Sequence, residues 1–137
     1  MIELTVAAIA ENIRHITDFV NRHLEALDCP MKVEMQIDIA IDEIISNIVQ
    51  YAYTPETGDV TVRMEVIDDP MSIIITFIDQ GVPYNPLTAA DPNTKLPVEE
   101  RSPGGLGIFM VKKSMDKISY RYENGSNILS ICKNFRS

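Results

Sequence analysis

The sequence predicts an α+β fold, a two-layer sandwich of helices on a sheet. Three observations carry this expectation. Two segments with helical apolar spacing follow one another near the N-terminus, strand-like runs come in hairpin-type pairs, and a single further helix separates the two pairs. Helices grouped beside mostly hairpin-connected strands argue for two layers and against a doubly wound parallel sheet.

Taken in order, Ile2 to Ala7 reads as a short strand. Glu11 to Leu27 reads as a helix, because Ile13, Ile16, Val20, Leu24 and Leu27 recur at helical spacing. Asp28-Cys29-Pro30 breaks it, and a second helix runs from Met31 or Lys32 to Tyr51 or beyond. Thr54 to Gly58 turns the chain into two strand-like runs, Val60 to Ile67 and Ser72 to Ile78, with Asp68-Asp69-Pro70 as the turn between them. Gln80 to Pro103 has little periodicity and holds five of the eight prolines, which marks it as a long functional or disordered loop. A third helix begins near Gly105 and runs through Lys113. The last strands, Lys117 to Tyr122 and Asn127 to Lys133, flank Asn124-Gly125, a strong hairpin signal. No internal repeat or low-complexity tract interrupts this order.

Composition narrows the class. A chain of 137 residues fits one compact domain, and 45% hydrophobic residues can fill a core. No apolar run approaches the roughly 20 residues a membrane helix needs. The start, Met1 to Thr5, lacks a basic region followed by an apolar stretch, and Cys29 and Cys132 lack metal-type spacing, so a cytoplasmic protein with reduced thiols is expected. Net charge −8 argues against direct nucleic-acid binding, which needs concentrated Lys and Arg. It leaves room for an anionic ligand only where backbone N–H groups, a helix N-terminus or a divalent cation supply local compensation.

Three short segments carry chemistry. On a wheel at about 100° per residue, Ile37, Ile41, Ile44 and Ile48 of the second helix form a core stripe. Gln36, Glu43, Ser46, Asn47 and Gln50 gather on another side, and the remaining faces are almost wholly apolar, so this helix is expected to be buried on most sides. Such a polar face is by itself most often a solvated one. It is nevertheless rich in amides and free of Lys and Arg, and a carboxylate one turn from an amide suits Mg²⁺. The amide oxygen is a neutral hard ligand, and the carboxylate can orient a bound water or accept a proton.

The second segment is Asp79-Gln80-Gly81-Val82-Pro83. Asp79 ends the apolar run Ile73 to Ile78 and is expected to be partly buried, where it needs donors such as an adenine amine. Gly81 permits close backbone approach, and Pro83 stiffens the exit. An ordinary strand-ending turn has the same composition. The third segment, Gly104-Gly105-Leu106-Gly107-Ile108, opens the third helix, where exposed N–H groups and the helix dipole suit phosphates. It matches neither the P-loop pattern nor the dinucleotide-binding glycine pattern. Arg101, just upstream in an acid-rich loop, is a candidate for reaching those phosphates if residues 84–103 close as a lid.

In this order the three segments resemble the Bergerat-fold, or GHKL, ATPases, the family of gyrase, histidine kinases and MutL. Glu43 and Asn47 match the N box, Asp79, Gly81 and Pro83 the first glycine box, and Gly105 and Gly107 the second. Ile41 to Val49, Asp79 to Pro86 and Gly104 to Ile108 look like the small anti-sigma-factor serine kinases of the RsbW and SpoIIAB type, and the resemblance covers nearly the whole chain.

The resemblance implies a histidine kinase-like ATPase domain over residues 1–137, with a mixed, mostly antiparallel sheet, three main helices and an ATP lid over 84–103. It implies ATP and Mg²⁺ as cofactors. Asn47 would hold Mg²⁺, Glu43 would act as general base, Asp79 would bind the adenine amine with Gly81 giving access, and Gly104 to Ile108 would cradle phosphates. Ser130 stands where the family often has a threonine near the adenine. Tyr51-Ala52-Tyr53, Asn85 and Ser130 depart from the family's frequent residues. The activity implied is transfer of the ATP γ-phosphoryl to a serine or threonine of a STAS-type antagonist, with capture of a sigma factor by the same protein, and the analogy extends to a homodimer. Two other readings stay open: a nucleotide-dependent binding module without kinase activity, and a histidine-kinase ATPase domain. The latter would need a phosphoacceptor histidine, whereas His15 and His23 lie on the first helix and lack the flanks of one. A gyrase-type reading would need a transducer domain that 137 residues cannot hold.

Overall fold

A computed structural model describes residues 1–53, 56–68, 70–88 and 105–136. Its order is β1 (Ile2–Ala7), α1 (Ile13–Ala26), α2 (Met31–Asn47), β2 (Asp59–Ile67), β3 (Ser72–Asp79), α3 (Gly105–Ser114), β4 (Lys117–Glu123) and β5 (Ser126–Asn134). This is the expected α+β two-layer arrangement. The strands form one sheet in the order β1-β2-β3-β5-β4. All four neighbouring pairs are antiparallel. β3 and β4 run in the same sense and are linked through α3, but β5 lies between them, so the crossover creates no parallel pairing.

Local chemistry explains the boundaries. Asp28 takes a left-handed φ of 55° at the end of α1. Around it the Cys29 N–H donates to the Leu24 carbonyl at 3.0 Å and the Asp28 N–H to that of Glu25 at 3.1 Å, the double closure of a Schellman cap. Pro30, with its fixed φ, then precedes the first residue of α2. Asn124 and Gly125 both have positive φ, 52° and 79°, as a two-residue hairpin of the I′ type requires.

The core lies between the helices and one face of the sheet. α1 contributes Ile16, Val20 and Leu24; α2 contributes Val33, Ile37, Ala40, Ile41, Ile44 and Ile45. Ile73, Ile75 and Phe77 of β3 meet them, as do Leu129 and Ile131 of β5. α2 is less enclosed than its apolar composition suggests. Met31, Met35 and Ile39 are 76%, 57% and 60% exposed. The helix is flanked by α1 and α3 and seated on the sheet, which leaves this outward stripe uncovered. At the far end of α3, the buried Lys133 ammonium donates to the Ser114 carbonyl at 2.6 Å, so a cation closes the helix C-terminus.

Among the described residues no helix is long and apolar enough to cross a membrane. Cys29 and Cys132 are free thiols. Burial, helped by Glu34 and Asp38, pushes the Cys29 thiol up to about 11, which keeps it protonated and unreactive.

Candidate nucleotide site

α2 continues past Asn47 as a wider π-turn, Ile48–Ala52. This turn brings the Ala52 carbonyl against the segment after β3, where it accepts the Val82 N–H at 2.9 Å. A β-carbon on Gly81 would stand 2.3 Å from that same carbonyl oxygen, so any other residue would force the crossing apart. The two motifs that sequence analysis places apart in the chain are thereby locked together, backbone on backbone.

Between them lies a pocket open to solvent. Ile44, Ile48, Phe77, Ile108 and Leu129 give it apolar walls, while Asn47, Asp79 and Asn127 supply its polar groups. Tyr51, Tyr84 and Tyr120 add aromatic faces. The rings of Tyr51 and Tyr84 stand 5.6 Å apart and tilted by 38°, and each ring is partly exposed. An apolar slot with few convergent polar groups is the usual form of a small-molecule site.

Asp79 is 4% exposed at the end of β3. Its Oδ1 accepts the Gly81 N–H and the Asn127 side-chain N–H, both at 2.9 Å. Both donors fall on Oδ1, and the residue lines the pocket. Asn127 is itself fully engaged. Its Nδ2 also donates to the Val82 carbonyl at 2.9 Å, and its Oδ1 accepts the Tyr84 N–H at 3.1 Å and the Tyr120 hydroxyl. Because Val82 offers only a carbonyl and Tyr84 only an N–H at these contacts, the amide can face only one way. Burial pushes the Tyr120 phenol up, which keeps it a donor.

Glu43 and Asn47 lie one turn apart on α2, both half-buried. Asn47 lines the pocket, and among the described residues nothing holds its amide. The Glu43 carboxyl group lies instead against α3 at Gly107. Burial, and secondarily the charge of Asp42, hold it above the usual carboxylate range. Gly105, Leu106, Gly107 and Ile108 form the first turn of α3, and the Ile108 side chain reaches the pocket. Among the described residues no three His, Cys, Asp or Glu side chains cluster as a metal cage. The uncommitted Asn47 amide instead fits a cation held chiefly by a ligand's phosphates and water, as Mg²⁺ often is.

The structure therefore brings Glu43, Asn47, Asp79, Gly81 and the α3 glycine turn to one end of the sandwich. Ser130 is not among them. β5 alternates, with Asn127, Leu129 and Ile131 facing the helices, and this turns Ser130 to the other side of the sheet. There its hydroxyl pairs with that of Thr76 at 2.9 Å. Asn127, which sequence reasoning missed, holds the pocket-facing position directly opposite Asp79. Alternation gave no signal for it, since β5 carries apolar residues on both faces. Arg101 and Gly104, and most of the 84–103 segment, lie outside the described residues. Asn85, one of the departures, accepts the Leu87 N–H at 2.9 Å and so opens the short helical turn Pro86–Thr88. Of the histidines, His15 is exposed and His23 packs edge-on against Phe19 at 5.0 Å.

Residues 6–133 match the histidine kinase-like ATPase domain. A serine-protein kinase RsbW of Bacillus mycoides (strain KBAB4) is 32% identical over 95 residues, 66% of this chain and 58% of that protein. The serine-protein kinase RsbW of Bacillus cereus (strain ATCC 10987 / NRS 248) is 27% identical over 133 residues, covering 94% of this chain and 73% of that one. Among solved structures, the RsbU and RsbW domains of Rv1364c from Mycobacterium tuberculosis align with a TM-score of 0.65 over 98% of this chain and 32% of that one. The histidine kinase domain of the Erythrobacter litoralis EL346 blue-light activated histidine kinase aligns with a TM-score of 0.54 over 78% of this chain and 46% of that one. At 14% and 16% identity these two likenesses concern the fold alone.

Proposed function

The chain belongs to the histidine kinase-like ATPase domain family and is homologous to the RsbW-type kinases, and from that premise we propose that it is an ATP-dependent serine/threonine protein kinase acting as an anti-sigma factor. It would phosphorylate a STAS-type antagonist and, when that antagonist is spent, hold a sigma factor inactive. The observation that carries the ATP part is a buried Asp79, clamped by Asn127 and the Gly81 N–H, in the same pocket as an uncommitted Asn47.

Each residue then has a task. The fixed Asp79 carboxylate accepts a hydrogen bond from the adenine amine, and a guanine, which offers a carbonyl there, would face it acceptor to acceptor. The tyrosines and apolar walls take the base plane. Asn47 would hold Mg²⁺, whose role when bound is to neutralise phosphate charge. The α3 N–H groups from Gly105 onward would carry the rest of that charge, which is how a chain of net charge −8 can bind a triphosphate. Arg101 and Gly104 would join them when the 84–103 segment closes as a lid.

Phosphoryl transfer needs positioning and charge stabilisation more than covalent help. The substrate hydroxyl oxygen forms the new bond to the γ-phosphorus, the bond from that phosphorus to the β,γ-bridging oxygen breaks, and ADP leaves. The hydroxyl proton passes to Glu43, whose raised pKa makes it a better acceptor than a solvated glutamate. A cytoplasmic protein regulating a cytoplasmic sigma factor is the setting this reading implies.

The test is incubation with radiolabelled ATP and STAS-domain proteins from the source cell, together with capture of bound proteins with and without ATP. Label on a STAS serine or threonine and retention of a sigma factor are expected. ATP binding without transfer to any of them would leave an ATP-dependent binding module instead.

A further inference from the structure

We infer that Gly107 is the seat of the Glu43 carboxyl group: the bare backbone of α3 leaves the space in which that group rests, so Gly107 is a positioning residue for the proton acceptor. This rests on the reading of Glu43 as general base given above.

The geometry is specific. A β-carbon built on Gly107 would lie 2.1 Å from the Glu43 Cδ and 2.2 and 2.3 Å from its two oxygens. The three distances are nearly equal, so the point where a side chain would begin falls against the middle of the carboxyl group. Gly58 and Gly81 are also crowded, but by the Tyr53 ring and the Ala52 backbone. At Gly107 the neighbour is the ionisable tip of a side chain on another helix.

Conformation does not explain this glycine. Gly107 lies within α3 and, unlike Gly125, has no left-handed φ. A helical glycine with no such demand is less favourable in a helix interior than alanine. The space that a side chain would need is the space the Glu43 carboxyl group occupies. The seat also suits the group electrostatically, since the first turn of a helix favours an anion. Burial is the leading cause of the raised Glu43 pKa. Proton acceptor and phosphate-binding turn are thereby held in fixed relation by two helices, and the backbone N–H groups remain available for phosphates.

Gly107→Ala separates the two roles. It keeps every backbone N–H, favours the helix, and forces only the flexible end of Glu43 to move. We expect a folded protein whose single-turnover transfer at saturating Mg-ATP falls by about tenfold or more toward the Glu43→Ala rate. The Gly107→Ala/Glu43→Ala double variant should be no slower than Glu43→Ala alone. A second readout needs no substrate: in Gly107→Ala the Glu43 carboxyl resonance should titrate closer to the ordinary glutamate range than in wild type. Wild-type transfer or an unmoved titration in Gly107→Ala, beside a slow Glu43→Ala, would overturn the inference alone. Full activity of Glu43→Ala would remove the base assignment itself, and the inference with it.

Discussion

Asn127 donates to Asp79 at 2.9 Å across a directly paired position of β3 and β5, joining residues 48 apart in the chain. The same amide reaches Val82, Tyr84 and Tyr120, so one side chain orients the carboxylate and anchors the segment that leaves the pocket. Replacing Asn127 with Ala strands buried partners, at about 1–3 kcal/mol of folding stability. The expected outcome is weaker ATP binding by calorimetry, with most of the preference for ATP over an analogue lacking the 6-amino group lost. Equal weakening toward both nucleotides would mean that Asn127 supports the fold and not the reading of the base.

Asn47 makes a different prediction, because its amide lines the pocket without a partner among the described residues. Asn47→Ala should fold with wild-type stability. Its ATP affinity should no longer respond to Mg²⁺, whereas the wild type tightens on adding it. The check is a nucleotide titration with Mg²⁺ and with a chelator. An unchanged Mg²⁺ response in Asn47→Ala would count against the ligand assignment.

Much of this was legible in the sequence, for reasons that differ by element. The i, i+4 spacing of Glu43 and Asn47 is a property of the helix itself, so no tertiary information is needed to stack them. Asp79 at the end of Ile73–Ile78 and the Asn124-Gly125 turn are similarly local. What stayed hidden depends on partners. Ile128, Leu129, Ile131 and Cys132 put apolar residues on both sides of Ser130, so alternation alone cannot say which face is inward. Only pairing with β3 resolves the face, and it selects Asn127 over Ser130. The exposed Met35 and Ile39 are the same lesson in a helix: apolar composition shows what can be buried, and neighbours decide what is.

Glu43 ties activity to pH and to stability with opposite signs. Its folded pKa is raised, chiefly by burial. As a proton acceptor it must be ionised, so transfer should rise with pH through a midpoint above the ordinary glutamate value. For folding the sign reverses. A carboxyl group with a raised folded pKa contributes stability that is full below its unfolded pKa and is lost as pH rises through the folded one. Glu43→Gln removes the ionisation, so it should unfold at a higher temperature than wild type near neutral pH, with the difference vanishing below the unfolded pKa. Its transfer rate should fall by about 10²–10⁴-fold. Thermal unfolding across pH beside single-turnover kinetics checks both, and a variant less stable than wild type at neutral pH would contradict the burial argument.

Gly81 tests the junction that assembles the pocket. A methyl group there would meet the Ala52 carbonyl oxygen at 2.3 Å and the Ala52 β-carbon at 2.5 Å. Unlike the Glu43 tip beside Gly107, these atoms belong to the backbone and the first carbon of a packed turn, and they cannot swing aside. To admit the methyl group, the 79–84 segment must separate from the π-turn, and the Val82-to-Ala52 hydrogen bond stretches or breaks. Overpacking of this kind costs about 1–3 kcal/mol. Gly81→Ala should therefore lose stability by that amount in urea denaturation, and it should lose ATP affinity as well, because the movement carries the Asp79 donor away from its carboxylate. Gly125→Ala, with open space around it, is the comparison: its strained φ costs stability at the β4–β5 turn without crowding the Ala52 junction, and a smaller loss of nucleotide binding is expected. Equal loss of binding in both variants would show that affinity follows global stability and not this crossing.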